Sequence, residues 1–110
     1  AYPPTMLPTA SWRRIMSNLN QHFGTDATVD AAAAKEISAW LSANAGAGKR
    51  AREAPPEDRI TLAPWFRREH DEVPAATWQL PIVKSAANCA ACHTKADQGD
   101  YRERNIRVPR

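Results

Sequence analysis

Cys89 and Cys92 are the only cysteines in the chain, three positions apart, and His93 follows directly, giving Cys89-Ala90-Ala91-Cys92-His93. That string is the attachment pattern of a c-type haem. On a helical turn, two thiols three residues apart face the same way, so each can add to one of the two porphyrin vinyl groups. The residue that follows places an imidazole under the iron as its proximal ligand. Ala90 and Ala91 are small and let the porphyrin edge approach the backbone. The competing readings are weaker. A thioredoxin-like dithiol sits after a strand in a βαβ unit, and no such pattern is present. A Cys2His2 zinc site needs two further, suitably spaced histidines, which His22, His70 and His93 do not supply. A disulfide between Cys89 and Cys92 would close a loop too small to stabilise much.

The sixth position on such an iron decides the chemistry. Filled by a protein ligand, the iron moves electrons; left open, it binds small molecules. The candidates are His70, His22, Met6 and Met16. Met16 lies in an apolar helical stripe, where packing is its natural job, and Met6 sits in a Pro-rich lead. A thin core has little reason to bury an imidazole without a partner, since an unpaired polar group costs on the order of 1–3 kcal/mol. Trp65 and Phe66 beside His70 also offer rings suited to lining a haem pocket. His70 therefore ranks first and His22 second, with both kept open. A His93–His70 pair implies a lower redox potential than a His/Met haem.

Several elements must position these residues. A first helix is predicted from an N-cap at Thr9 or Ser11 to Gly24, with Trp12, Ile15, Met16, Leu19 and Phe23 as its stripe and His22 on the same inward face. A second opens after Thr28 or Asp30 through Ala31 to Ala34, buries Ile37, Trp40 and Leu41, and fails around Asn44 to Gly48. Lys49 to Asp58, charged and holding Pro55-Pro56, reads as an exposed loop. Pro64 stands at the first position of a two-turn helix that puts Phe66 and His70 on one face. Val73 to Lys84 is punctuated by Pro74 and Pro81 and reads as irregular, with Trp78 packed on something large. The cysteines are expected on a helix from about Ser85 to Asp97, followed by a basic tail that is extended or short-helical. No repeat and no convincing strand stands out. The fold class is mostly α, a small c-type cytochrome domain of about four helices with long irregular connections. The domain reading is a single cytochrome c domain over residues 1–110. Residues 1–48 are its helical N-terminal part, 49–62 a loop and 63–110 the haem-binding part.

Composition supports a cofactor. The chain has 110 residues and a hydrophobic fraction of 43%, much of it alanine. Large apolar side chains are sparse, and small domains with so little to bury use a disulfide, a metal or a large cofactor to offset chain entropy. The net charge is +3 and the pI about 9.2. The basic residues are scattered among acids, which argues against a nucleic-acid surface and for solvated faces. Surface arginines are natural counter-ions for haem propionates. No stretch has the length of a membrane span, and Glu53, Glu57 and Asp58 read as solvating loop residues.

At this point the chain resembles a known family. The strings Ala-Tyr-Pro-Pro-Thr-Met-Leu-Pro, Ser-Trp-Arg-Arg-Ile-Met, His-Phe-Gly-Thr-Asp-Ala, Pro-Trp-Phe-Arg-Arg-Glu-His and Cys-Ala-Ala-Cys-His occur in the order found in bacterial dihaem cytochromes c. The resemblance covers nearly the whole chain. It implies an exported, periplasmic electron carrier, not an enzyme, with bis-histidine haems. Its implied partners are redox proteins, among them a monohaem oxygen-binding cytochrome. By position, Cys89, Cys92 and His93 match the family's second haem motif, and His70 and His22 match the histidines that complete coordination. The family's first Cys-x-x-Cys-His lies just upstream of the Ala-Tyr-Pro-Pro string, and this chain opens at Ala1. The expectation is therefore one covalent haem c, with the first haem segment lost by cleavage or truncation and His22 left over. An open-iron gas-binding or sensor domain is the alternative function, and a peroxidase-like enzyme a third.

Overall fold

A computed structural model describes residues 2–110, with the backbone alone at Arg50; Ala1, expected in the extended lead, lies outside the described residues. Among those residues the chain is mostly helical, without strands. Four α-helices, α1 (Thr9–Met16), α2 (Ala31–Asn44), α3 (Pro64–Glu69) and α4 (Ala75–Trp78), are joined by short 3-10 turns and irregular backbone. The chain divides into two compact units, one of Pro4–Ala63 and one of Pro64–Arg110 with the start of the chain up to Pro3.

In the N-terminal unit the Pro-rich lead is not simply extended. Pro4–Met6 forms a 3-10 turn, Leu7 is fully buried, and the Pro4 carbonyl accepts a hydrogen bond from the Trp12 indole at 2.8 Å. Helix α1 ends at Met16 rather than at Gly24. Ser17 turns its hydroxyl back onto the Arg14 carbonyl, an alternative to the helical ladder that short polar residues offer. Beyond a 3-10 turn at Leu19–Gln21, His22 and Thr25 exchange two backbone hydrogen bonds around Phe23 and Gly24, both left-handed. His22 therefore sits on this turn and not on the inward face of α1.

Helix α2 starts where expected, with the Asp30 carboxylate accepting from the Ala33 N–H at 2.7 Å. Its inner face differs from the predicted one. Ile37 and Trp40 are exposed, while Ala34, Ser38, Leu41, Ser42 and Ala45 are half-buried. Small side chains let α2 approach α1, its main packing partner, and the bulky residues turn outward. The segment 49–58 holds two 3-10 turns and buries Ala51 and Pro55, so it is more than a solvated loop. Glu57 and Asp58 are both left-handed, and a two-pronged Arg14–Asp58 ion pair at 2.8 and 2.9 Å ties this turn to α1.

In the C-terminal unit Trp65, Phe66, Thr77, Val83 and Ala96 are buried. The segment 85–97 is not the expected helix. It runs as successive tight turns, with 3-10 geometry only at Cys89–Ala91 and Ala96–Gln98. Ser85 and Asn88 explain the difference. The Ser85 hydroxyl accepts from the Ala87 N–H and the Asn88 amide donates to the Val83 carbonyl at 2.9 Å. Both side chains thus compete with the helical ladder.

Gly46 offers a direct check of packing in the N-terminal unit. Its N–H donates to the Leu7 carbonyl at 3.0 Å. A Cβ there would lie 2.3 Å from the Thr5 carbonyl oxygen and 2.5 Å from the Ala51 Cβ, whereas one at Gly48 would meet nothing. Thermal unfolding followed by circular dichroism should show Gly46→Ala destabilised by about 1–3 kcal/mol and Gly48→Ala nearly unchanged.

Candidate functional site

Four of the sequence-nominated residues fall in one unit. Cys89, Cys92, His93 and His70 all belong to the C-terminal unit, whereas His22, Met6 and Met16 belong to the N-terminal one. Helix α3 carries the first part of the site. Pro64 begins it without a lost hydrogen bond, because the first N–H groups of a helix have no internal partner. One turn after Phe66, just past the helix end, the His70 ring lies against the Phe66 ring at 3.9 Å between centroids and 18° between planes. Trp78 at the end of α4 closes the group, 6.0 Å from His70 and 6.4 Å from Phe66. The large partner expected for Trp78 is thus this aromatic pair.

The second part comes from the turns at 85–107. The Cys89 carbonyl accepts from the His93 N–H at 2.9 Å, closing one turn around the cysteine pair. The two thiols are not joined as a disulfide. The Ala87 carbonyl accepts from the Cys89 thiol at 3.6 Å and from the Tyr2 hydroxyl at 2.7 Å. The returning tail braces the other side: the Cys92 carbonyl accepts from the Arg107 N–H at 2.8 Å, and His93 and Ile106 form an isolated bridge. Tyr101 stacks obliquely on His93, 5.0 Å between ring centroids, and hydrogen-bonds Cys89.

The His70 and His93 rings lie 6.2 Å apart between centroids in an edge-on arrangement, with planes 68° apart. Two imidazoles bound to opposite sides of one metal, with metal–nitrogen bonds of about 2 Å, have centroids about 6 Å apart. The pair has that dimension. The Nδ1 atom of His93 is buried and without a hydrogen-bond partner among the described residues. Burial pushes the His93 imidazole below its ordinary value, and the nearby His70 adds to this, so the ring is neutral and keeps a lone pair for a metal. Burial pushes both thiols up, Cys89 against the opposing hydrogen bond from Tyr101, which holds them as neutral S–H groups at pH 7. Two neutral thiols and two neighbouring imidazoles fit a covalently held haem.

Tyr101, Tyr2 and Asp100 were not among the sequence candidates. Tyr101 and Asp100 reach the site because the chain doubles back through 3-10 turns, whose contacts leave no periodic signal. A tyrosine a few residues beyond the haem motif was the only available hint.

Comparison with known proteins gives the family. The sequence matches the family of dihaem cytochrome c over residues 1–101. No curated protein matches it. Among solved structures, the crystal structure of the protein DHC purified from Rhodobacter sphaeroides is 42% identical. It covers 90% of this chain and 83% of its own, with a TM-score of 0.75. The X-ray structure of a diheme cytochrome type c from Shewanella baltica is 34% identical and covers 99% and 82%, with a TM-score of 0.85. The fold is the small, mostly helical one of a c-type cytochrome. The chain belongs to the dihaem cytochrome c family, a family of electron-transfer cytochromes carrying haem c. Among the described residues no helix is long and apolar enough to cross a membrane.

The tail that braces Cys92 and His93 depends on Asp100. Its carboxylate accepts from the Arg102 N–H at 3.0 Å, from the Arg102 guanidinium at 2.7 and 3.0 Å and from the Asn105 amide at 3.0 Å. These bonds, that of the Arg102 side chain first, hold its carboxyl far below the usual carboxylate range. A lowered folded-state value gives stability that is present above the unfolded value of about 4 and lost as pH falls through the folded one. Acid titration of stability below about pH 4 should therefore be shallower in Asp100→Asn than in the parent protein.

Proposed function

We propose that this chain is an electron carrier in which Cys89 and Cys92 would hold one haem through thioether bonds, and His93 and His70 would be the two protein ligands of its iron. The 6.2 Å separation of the His70 and His93 rings carries the reading. When bound, the haem supplies a one-electron Fe(III)/Fe(II) couple, and the protein's part is to hold, orient and tune it. Cys89 and Cys92, in one tight turn, would each add S–H across a vinyl group: the sulfur bonds to carbon and the hydrogen goes to the neighbouring carbon. His93 follows that turn and is carried with it. His70, just past the end of α3, would supply the second protein nitrogen to the iron, its ring stacked on Phe66 and close to Trp78.

Two histidine ligands leave no open position for a gas or a peroxide, which favours electron transfer over the sensing and peroxidase readings. They also place the potential below that of a His/Met haem. His22 takes no part in this pair. The partners are other redox proteins, and the family resemblance supports a monohaem oxygen-binding cytochrome among them. Covalent haem attachment supports maturation and action in the periplasm.

Ligand substitution tests the assignment. His70→Ala is expected to keep its covalent haem, turn high-spin and bind carbon monoxide, while His22→Ala leaves ligation at this iron intact. If instead His22→Ala opens the iron and His70→Ala does not, the pairing is wrong. Replacing both Cys89 and Cys92 by alanine should let acidified organic solvent extract all the haem, whereas none leaves the parent protein.

A further inference from the structure

Phe66 meets His70 twice. Its main-chain carbonyl accepts from the His70 backbone N–H at 3.1 Å and contacts the His70 Nδ1 at 2.7 Å. A carbonyl oxygen only accepts, so Nδ1 carries the proton and Nε2 of the neutral ring carries the lone pair. Both acceptor positions of one carbonyl are thus given to one residue. The Phe66 ring meanwhile lies nearly parallel to the imidazole at 3.9 Å. Phe66 is itself buried and flanked by Trp65 and Trp78, so it cannot swing aside cheaply. The histidine on the other side is held differently, with its Nδ1 buried and without a hydrogen-bond partner among the described residues.

We infer that Phe66 is a positioning residue for His70, its carbonyl setting which imidazole nitrogen faces the iron and its ring setting the plane in which that nitrogen is presented. The inference rests on the reading of His70 as the sixth ligand. A ligand with its tautomer and plane already set binds without losing that freedom at the moment of coordination, and a hydrogen bond at the far nitrogen makes the ring a better donor. His70 should consequently stay on the iron in both oxidation states and keep small ligands out.

The test uses the full holoprotein, reduced and labelled with 15N. The His70 Nδ1–H resonance should be visible in water and exchange into deuterium oxide at least about tenfold more slowly than an exposed imidazole. In a second arm, Phe66→Tyr keeps ring and carbonyl, and Phe66→Leu keeps the carbonyl alone. Phe66→Tyr should remain indifferent to carbon monoxide, while Phe66→Leu, with its covalent haem and far-ultraviolet dichroism retained, takes up the gas at least about tenfold faster. Should Phe66→Leu fail to fold, the exchange experiment decides alone. A low-spin parent protein whose His70 Nδ1–H exchanges at the exposed rate overturns the inference and leaves the ligand assignment standing, as does a folded Phe66→Leu as inert as its parent. A parent protein that itself binds carbon monoxide overturns both.

Discussion

Two imidazoles 6.2 Å apart, on segments of the C-terminal unit that are distant in sequence, are the constraint to which the rest of that unit answers. Neither segment can hold its ring alone. Helix α3 spans only Pro64–Glu69, too short to persist in water by itself, and the cysteine segment is a run of turns. Packing of Trp65 and Phe66 and the stack against Trp78 hold the first; the tail holds the second through Arg107, Ile106 and the Asp100 hydrogen-bond hub. Cross-braced turns replace regular structure here, because the Ser85 and Asn88 side chains compete with the helical ladder and the returning tail supplies the bracing that a helix would have had internally.

Energetics point the same way. Few large side chains are fully buried, Leu7 and Val83 being the principal ones, and several bulky apolar residues face outward. A domain this small buries a modest share of its surface. A porphyrin held through the two cysteines, as proposed, would add apolar area and two covalent links, so that cofactor and fold would stabilise one another. Placing neutral thiols and a neutral His93 in a partly buried setting avoids the cost of burying charge there.

The legible part of this protein was its chemistry. Adjacent residue types carried the Cys-x-x-Cys-His string on which the proposal rests, and the α3 segment revealed its helix because Pro at the first position and a three-to-four spacing leave a mark in the sequence. The Asp30 cap was equally readable. The faults lay where small polar residues act through hydrogen bonds. Ser17 ended α1 early, Ser85 and Asn88 kept the cysteine segment out of a helix, and small residues rather than Ile37 and Trp40 formed the inner face of α2. His22 then left the face on which an uninterrupted helix would have put it. Tyr101 and Asp100 were illegible for another reason: their roles arise from a chain reversal that no local pattern announces.

The most direct test is the visible absorption spectrum of the pure chain, oxidised and reduced, with and without carbon monoxide. A low-spin spectrum that the gas does not change is the result expected if His70 and His93 both hold the iron, as proposed. A high-spin spectrum that shifts when the gas is added would contradict the account, showing an iron with an open face and a protein built to bind small molecules.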